Sequence, residues 1–188
     1  MPLLVDPVIA PEQFSNTTQP TLRTDVIVLR PWTERDAAAI VAAYQEPAIQ
    51  RWHVRAMTSA EALHWILDAH TSWSEGTAAS WAVEVDGAMA GRMTLKLQPA
   101  FGGAVASYWT CRWASGRGIA PRGLIAATSW AFEAGFHRIE LEHSTANPAS
   151  CRVAAKAGFE AEGTRRSAML HADGWHDMHV HARIAGGR

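Results

Sequence analysis

Cysteine, lysine and excess charge are all scarce in this chain, and each scarcity narrows what it can be. The 188 residues include two cysteines, Cys111 and Cys151, which cannot build a zinc cluster alone and give at most one disulfide. A cystine-stapled secreted fold is therefore excluded, and a reducing, cytoplasmic setting is the expectation. Seventeen basic residues against eighteen acidic leave a net charge of −1, which argues against a nucleic-acid surface or a polybasic membrane contact. No run of about eighteen apolar residues occurs, so no transmembrane helix is expected. The start, Met1-Pro2-Leu3-Leu4-Val5-Asp6, lacks the basic region of a signal peptide. What the chain does have is 48% hydrophobic residues spread along its length and nine tryptophans. That length and content suit one self-sufficient core.

Pro11, Pro20 and the Ser-Asn-Thr-Thr run at 15–18 read as an extended or poorly ordered lead-in, giving an N-terminal extension over 1–24 and one domain over 25–188. Val26–Arg30 reads as a strand stopped by Pro31. Thr33 caps a helix carrying Ile40, Val41 and Tyr44, and Thr58 or Ser59 caps a second built on Leu63, Ile66 and Leu67. Alternation then takes over: strands near 80–85, 89–97 and 105–112, with Asp86-Gly87 as a hairpin turn. A helix with Leu124, Ala127, Ala131 and Phe132, a strand at 138–142, a helix from Asn147-Pro148 to Gly158, and two last strands complete the order. This predicts an α+β sandwich, a mixed sheet of about seven strands flanked by about four helices.

The segment Ser115-Gly116-Arg117-Gly118-Ile119-Ala120-Pro121 passes from a strand through two glycines into a helix. Such a turn offers free N–H groups and a positive helix end to an anion, while the Lys-Ser/Thr ending of a P-loop and the third glycine of a Rossmann loop are missing. With this loop, Leu29-Arg30-Pro31 and Asp36, Arg138-Ile139-Glu140-Leu141, Asn147-Pro148-Ala149-Ser150, Lys156-Ala157-Gly158-Phe159, Glu162-Gly163 and Asp177, the sequence resembles the GNAT acyl-CoA-dependent N-acetyltransferases. The likeness is to the branch of bacterial ribosomal-protein N-terminal acetyltransferases (RimL-like), over roughly residues 25–185.

The resemblance implies acetyl-CoA as co-substrate. Its pantetheine arm would lie along Trp109, Thr110 and Cys111 where two strands splay, and its pyrophosphate on Ser115, Gly116, Arg117, Gly118, Ile119 and Ala120, with Ser115 in place of the family's Arg or Gln. It implies Asn147 as a cofactor contact as well as a helix cap, and Ser150 as the group that bonds the sulfur and protonates the leaving thiolate. The tyrosine that many members place seven residues after that asparagine is Ala154 here. Glu142 is the candidate general base, directly or through water, with Glu140 on the same strand face. Trp52, His53 and Trp175 are the candidate walls of an acceptor-amine groove, with core packing as their other role. The implied activity is acetyl transfer to a primary amine, a protein N-terminus or a small molecule. A non-catalytic acyl-CoA-binding module is the alternative. His176, His179 and His181 raise a metal reading, but no carboxylate–histidine helix motif accompanies them and no metal is expected. No nucleic-acid or membrane partner is expected, and a homodimer is compatible with the sequence.

Overall fold

The computed structural model describes residues 4–15 and 17–186; Met1-Pro2-Leu3 of the leader reading, Asn16 of the lead-in and residues 187–188 of the domain lie outside them. Eight strands form one sheet in the order β1-β2-β3-β4-β5-β6-β8-β7. They are β1 (Leu22–Arg23), β2 (Val28–Pro31), β3 (Ala78–Val85), β4 (Ala88–Gln98), β5 (Gly103–Thr110), β6 (Arg138–Ser144), β7 (Glu160–His171) and β8 (Gly174–Ile184). All neighbours are antiparallel except β5 and β6. Five α-helices accompany them: α1 (Ala37–Ala43), α2 (Pro47–His53), α3 (Ser59–Ser74), α4 (Ile119–Glu133) and α5 (Pro148–Lys156). The α+β class and the mixed sheet agree with the sequence pattern. The additional strand is β1, and the additional helix is α2, which starts at Pro47 and stops where Val54 turns left-handed at φ 46°. Among the described residues no helix is long and apolar enough to cross a membrane.

Local chemistry explains the boundaries. The Thr58 hydroxyl accepts the Glu61 N–H at 3.3 Å while the Glu61 carboxylate accepts the Thr58 N–H at 2.7 Å, closing a capping box at the start of α3. That helix buries Ala62, Ile66, Ala69 and Trp73. The expected stripe is therefore rotated: Ile66 is inside, but Leu63 and Leu67 are exposed. Asp86 and Gly87, at φ 50° and 79°, make the tight β3–β4 turn.

The lead-in departs most from its sequence reading. Ile9 and Phe14 are core residues, and Gln19 is buried with its amide donating to Ser80 O at 2.9 Å. The cause lies in the tryptophans: buried indole N–H groups need acceptors, and Trp73 and Trp81 find them at Thr17 O and Pro20 O, each 2.8 Å away. Tyr44, Trp32, Ile40, Ile66 and Trp109 pack on the α1–α3 side of the sheet, whereas Trp81, Leu95, Leu124 and Leu141 belong to the cluster under α4 and α5.

An ion-pair knot ties β2, β3 and the turn into α1. Arg30 donates twice to Asp36, at 2.8 Å each, and once to Glu84 at 2.6 Å. Burial works against ionisation of Asp36, but hydrogen bonds from Arg30 and Thr33 outweigh it and hold the carboxyl below its ordinary value of 3.8. Asp36→Asn is expected to lose about 3 kcal/mol of stability at neutral pH by leaving Arg30 under-paired. A lowered folded pKa gives stability that is present above the ordinary value and drains away beneath it, so the wild-type advantage in urea unfolding should shrink as pH falls below 3.8.

Candidate active site

The site begins where the sheet parts. β5 and β6 run side by side only over Gly103–Ala106 and Arg138–Leu141. Beyond that they diverge around an open cleft of about 530 Å³. Ladder parity decides which backbone groups face it. Cys111 N–H donates to Ala90 O at 2.8 Å, and Gly91 stands opposite Thr110. Since antiparallel pairs alternate, Trp109 and Cys111 direct their polar backbone groups at β4, whereas Tyr108 and Thr110 turn theirs into the gap. Trp109 and Thr110 line the cleft. Cys111 lies outside the lining: it is buried, its amide is taken by Ala90, and burial, with Glu46 nearby, pushes its thiol up to about 12.

At one end of the cleft the loop into α4 makes an anion cradle. Ser115, Gly116, Gly118, Ile119 and Ala120 all line it. Gly116 and Gly118 have φ of 78° and 74°, a conformation that favours glycine, and a Cβ on Gly118 would sit 2.5 Å from Arg122 Nη1. The first turn of α4 carries no acidic residue, so its positive end is uncompensated. Ser115 turns its hydroxyl back to Cys111 O at 3.1 Å. Arg117 points elsewhere. It is not among the lining residues, and its guanidinium lies 5.9 Å over the exposed Trp113 ring. Arg152 and Lys156, four apart on α5, line the cleft and add two cations.

Deeper in, Asn147 caps α5, its Oδ1 accepting the Ser150 N–H at 3.2 Å. Asn147 and Ser150 both line the cleft. The Tyr108 phenol donates to Ser150 Oγ at 3.0 Å, and burial pushes that phenol up to about 12, so it remains a proton donor. Ala154, one turn after Ser150 on α5, is in the core. Glu142 reaches the cleft with its carboxylate oxygens 2.7 and 3.0 Å from Arg165 Nη1. Glu140 does not reach it and pairs with Arg138 at 2.7 Å.

Trp52 and His53 lie on α2, and both line the cleft. Burial first, then the positive field of Arg92, pushes His53 down to about 4. The ring is therefore neutral at pH 7, and its Nε2–H donates to the gap-facing Tyr108 O at 3.2 Å. Trp175 is 65% exposed and absent from the lining. It sits opposite the exposed Leu170, and strand alternation gives the cleft Met169 and His171 instead. His171 is buried against Trp52, with ring centroids 5.8 Å apart and neither ring nitrogen partnered. His176 separates from His179 and His181: an odd offset along β8 puts it on the other face. There its Nδ1 meets Ser144 Oγ at 2.7 Å and its Nε2 meets Asp173 at 2.9 Å.

A family model described as an acetyltransferase (GNAT) domain matches residues 27–160, most of the chain. The chain belongs to this family. Solved structures with the same fold include RimL, a ribosomal L7/L12 α-N-protein acetyltransferase in complex with coenzyme A. It is 22% identical, with a TM-score of 0.81 over 88% of this chain and 98% of its own. RimJ of Mycobacterium smegmatis, in complex with CoA-disulfide, is 27% identical, with a TM-score of 0.78 over 89% of this chain and 87% of its own. The microcin C7 self-immunity acetyltransferase MccE, in complex with acetyl-CoA and AMP, is 17% identical, with a TM-score of 0.79 over 86% and 93%. No curated protein matches the sequence.

Within this GNAT cleft, sequence spacing does not reach Tyr108, Arg152, Lys156 or His171. A signal existed for the first, because the chain has only two tyrosines and one falls in the strand expected to splay. The others depend on helix phase and strand register. The cradle assignment is directly testable: Gly118→Val must strain a left-handed position, and CoA binding by calorimetry is expected to weaken at least about tenfold. Retained affinity in a folded variant would contradict the cradle.

Proposed function

We propose that acetyl-CoA lies between β5 and β6 with its pyrophosphate on the Gly116–Ala120 turn, and that a primary amine enters past Trp52 and His171 to attack the thioester. The observation that carries this reading is the parting of β5 from β6 beside a two-glycine helix start. Thr110 N–H, turned into the gap, is placed to polarise the carbonyl as negative charge develops on its oxygen. The amine nitrogen forms the new bond to the carbonyl carbon, the C–S bond breaks, and the sulfur leaves with the electron pair. Ser150 Oγ–H donates its proton to that thiolate and takes one from the Tyr108 hydroxyl, which regains its own from solvent, a route that needs no phenol at Ala154. The amine proton leaves through water to Glu142, whose carboxylate oxygens each keep a lone pair beyond the contact with Arg165. The acceptor is a protein N-terminus or a small amine. A cytoplasmic setting agrees with two free cysteines.

Ser150→Ala is expected to lower kcat about 100-fold, and Tyr108→Phe about tenfold, with CoA affinity little changed. Thiol release measured over a panel of amines checks both, and unchanged turnover in Ser150→Ala would remove the acid role. Glu142→Gln is expected to lower kcat about tenfold with CoA affinity little changed. Unchanged turnover would assign the base to water alone. The engagement of Glu142 by Arg165 favours one other reading, an acyl-CoA-binding module without turnover. That module would hold CoA yet show no amine-dependent thiol release.

A further inference from the structure

We propose that His143, Cys151, His179 and His181 form a tetrahedral site for a zinc-like divalent metal ion, clamping the first turn of α5 to β6 and β8. It takes no step in the transfer chemistry proposed above and does not rest on it. Register assembles the site: His143 on β6 lies directly opposite His179 on β8, and His181, two residues on, shares their face. From α5, which packs on β6, Cys151 joins them. One donor atom from each of the four residues lies within 4.8 Å of all the others.

The spacings fit a metal better than a chance cluster. Bond lengths of about 2.05 Å to imidazole and about 2.3 Å to thiolate require edges of about 3.3 Å between nitrogens and about 3.6 Å between nitrogen and sulfur. His143 Nε2 and His181 Nε2 are 3.1 Å apart, and Cys151 Sγ lies 3.5 Å from His179 Nδ1 and 3.8 Å from His181 Nε2. The remaining pairs all lie within 4.8 Å.

The protonation pattern suits ligation. His143 Nδ1 is 2.8 Å from Ser144 O, which can only accept, so Nδ1 carries the proton and Nε2 presents a lone pair. A second ring nitrogen held by a backbone carbonyl is the usual orienting contact of a metal-bound histidine. His181 is buried and its Nδ1 has no partner, so the protein alone does not satisfy this ring. No carboxylate belongs to the cluster, and imidazole with thiolate selects zinc-type ions over magnesium or calcium. On binding, the Cys151 S–H bond breaks, the proton goes to solvent and the sulfur lone pair goes to the metal.

The consequence is positional. Cys151 adjoins Ser150, and His143 lines the cleft, so an ion here would hold Ser150 against Tyr108. The full-length chain, stripped with chelator, should bind one equivalent of Zn²⁺. With Co²⁺ it should give the intense visible bands of a tetrahedral ion and a near-ultraviolet thiolate charge-transfer band. That band should vanish in Cys151→Ser and persist in Cys111→Ser. In the unaltered chain, Zn²⁺ should slow alkylation of Cys151 at least about tenfold, a readout that needs no variant to fold. Absence of stoichiometric binding, an octahedral cobalt spectrum, a band that survives in Cys151→Ser, or unchanged alkylation would each overturn the site.

Discussion

A parallel pairing four residues long governs this molecule. Had β5 and β6 stayed together past Ala106 and Leu141, Tyr108 and Thr110 would direct their backbone groups at a neighbouring strand and no cleft would exist. Because they part, polar groups that a sheet normally consumes are left facing a groove, where an extended amide-bearing ligand can satisfy them. His53 already occupies one of them, the Tyr108 carbonyl. α4 and α5 then deliver their N-terminal turns to the same opening, one with glycines and an uncompensated positive end, the other with Asn147 and Ser150.

The flanking structure keeps that parting rigid. The Arg30–Asp36–Glu84 knot fixes the far strands, and the lead-in is held by indole N–H groups of Trp73 and Trp81. The tryptophans are therefore mostly structural: Trp32 and Trp81 are fully buried, and Trp52, with its neighbour His53, borders the cleft whereas Trp175 does not.

Much of this was legible in the chain itself. Gly116, Gly118, Asn147 and Ser150 announce themselves because left-handed turns and helix caps accept few residue types, and the same chemistry that shapes the backbone shapes the site. Contacts between distant segments were not legible. Trp175 and Arg117 have suitable types at suitable positions, yet strand alternation turns Trp175 outward and Arg117 lies over Trp113. Tyr108 reaches Ser150, and Cys151 reaches His179, only through the packing of α5 on the splayed strands, which no local pattern encodes.

Hydrogen–deuterium exchange with and without acetyl-CoA tests the central claim most directly, because it reads the gap-facing amides themselves. Binding between β5 and β6 predicts slowed exchange at Thr110 and across residues 116–120, with little change in the β3–β4 turn at Asp86-Gly87. Protection confined to other segments, or none at saturating acetyl-CoA, would contradict the account.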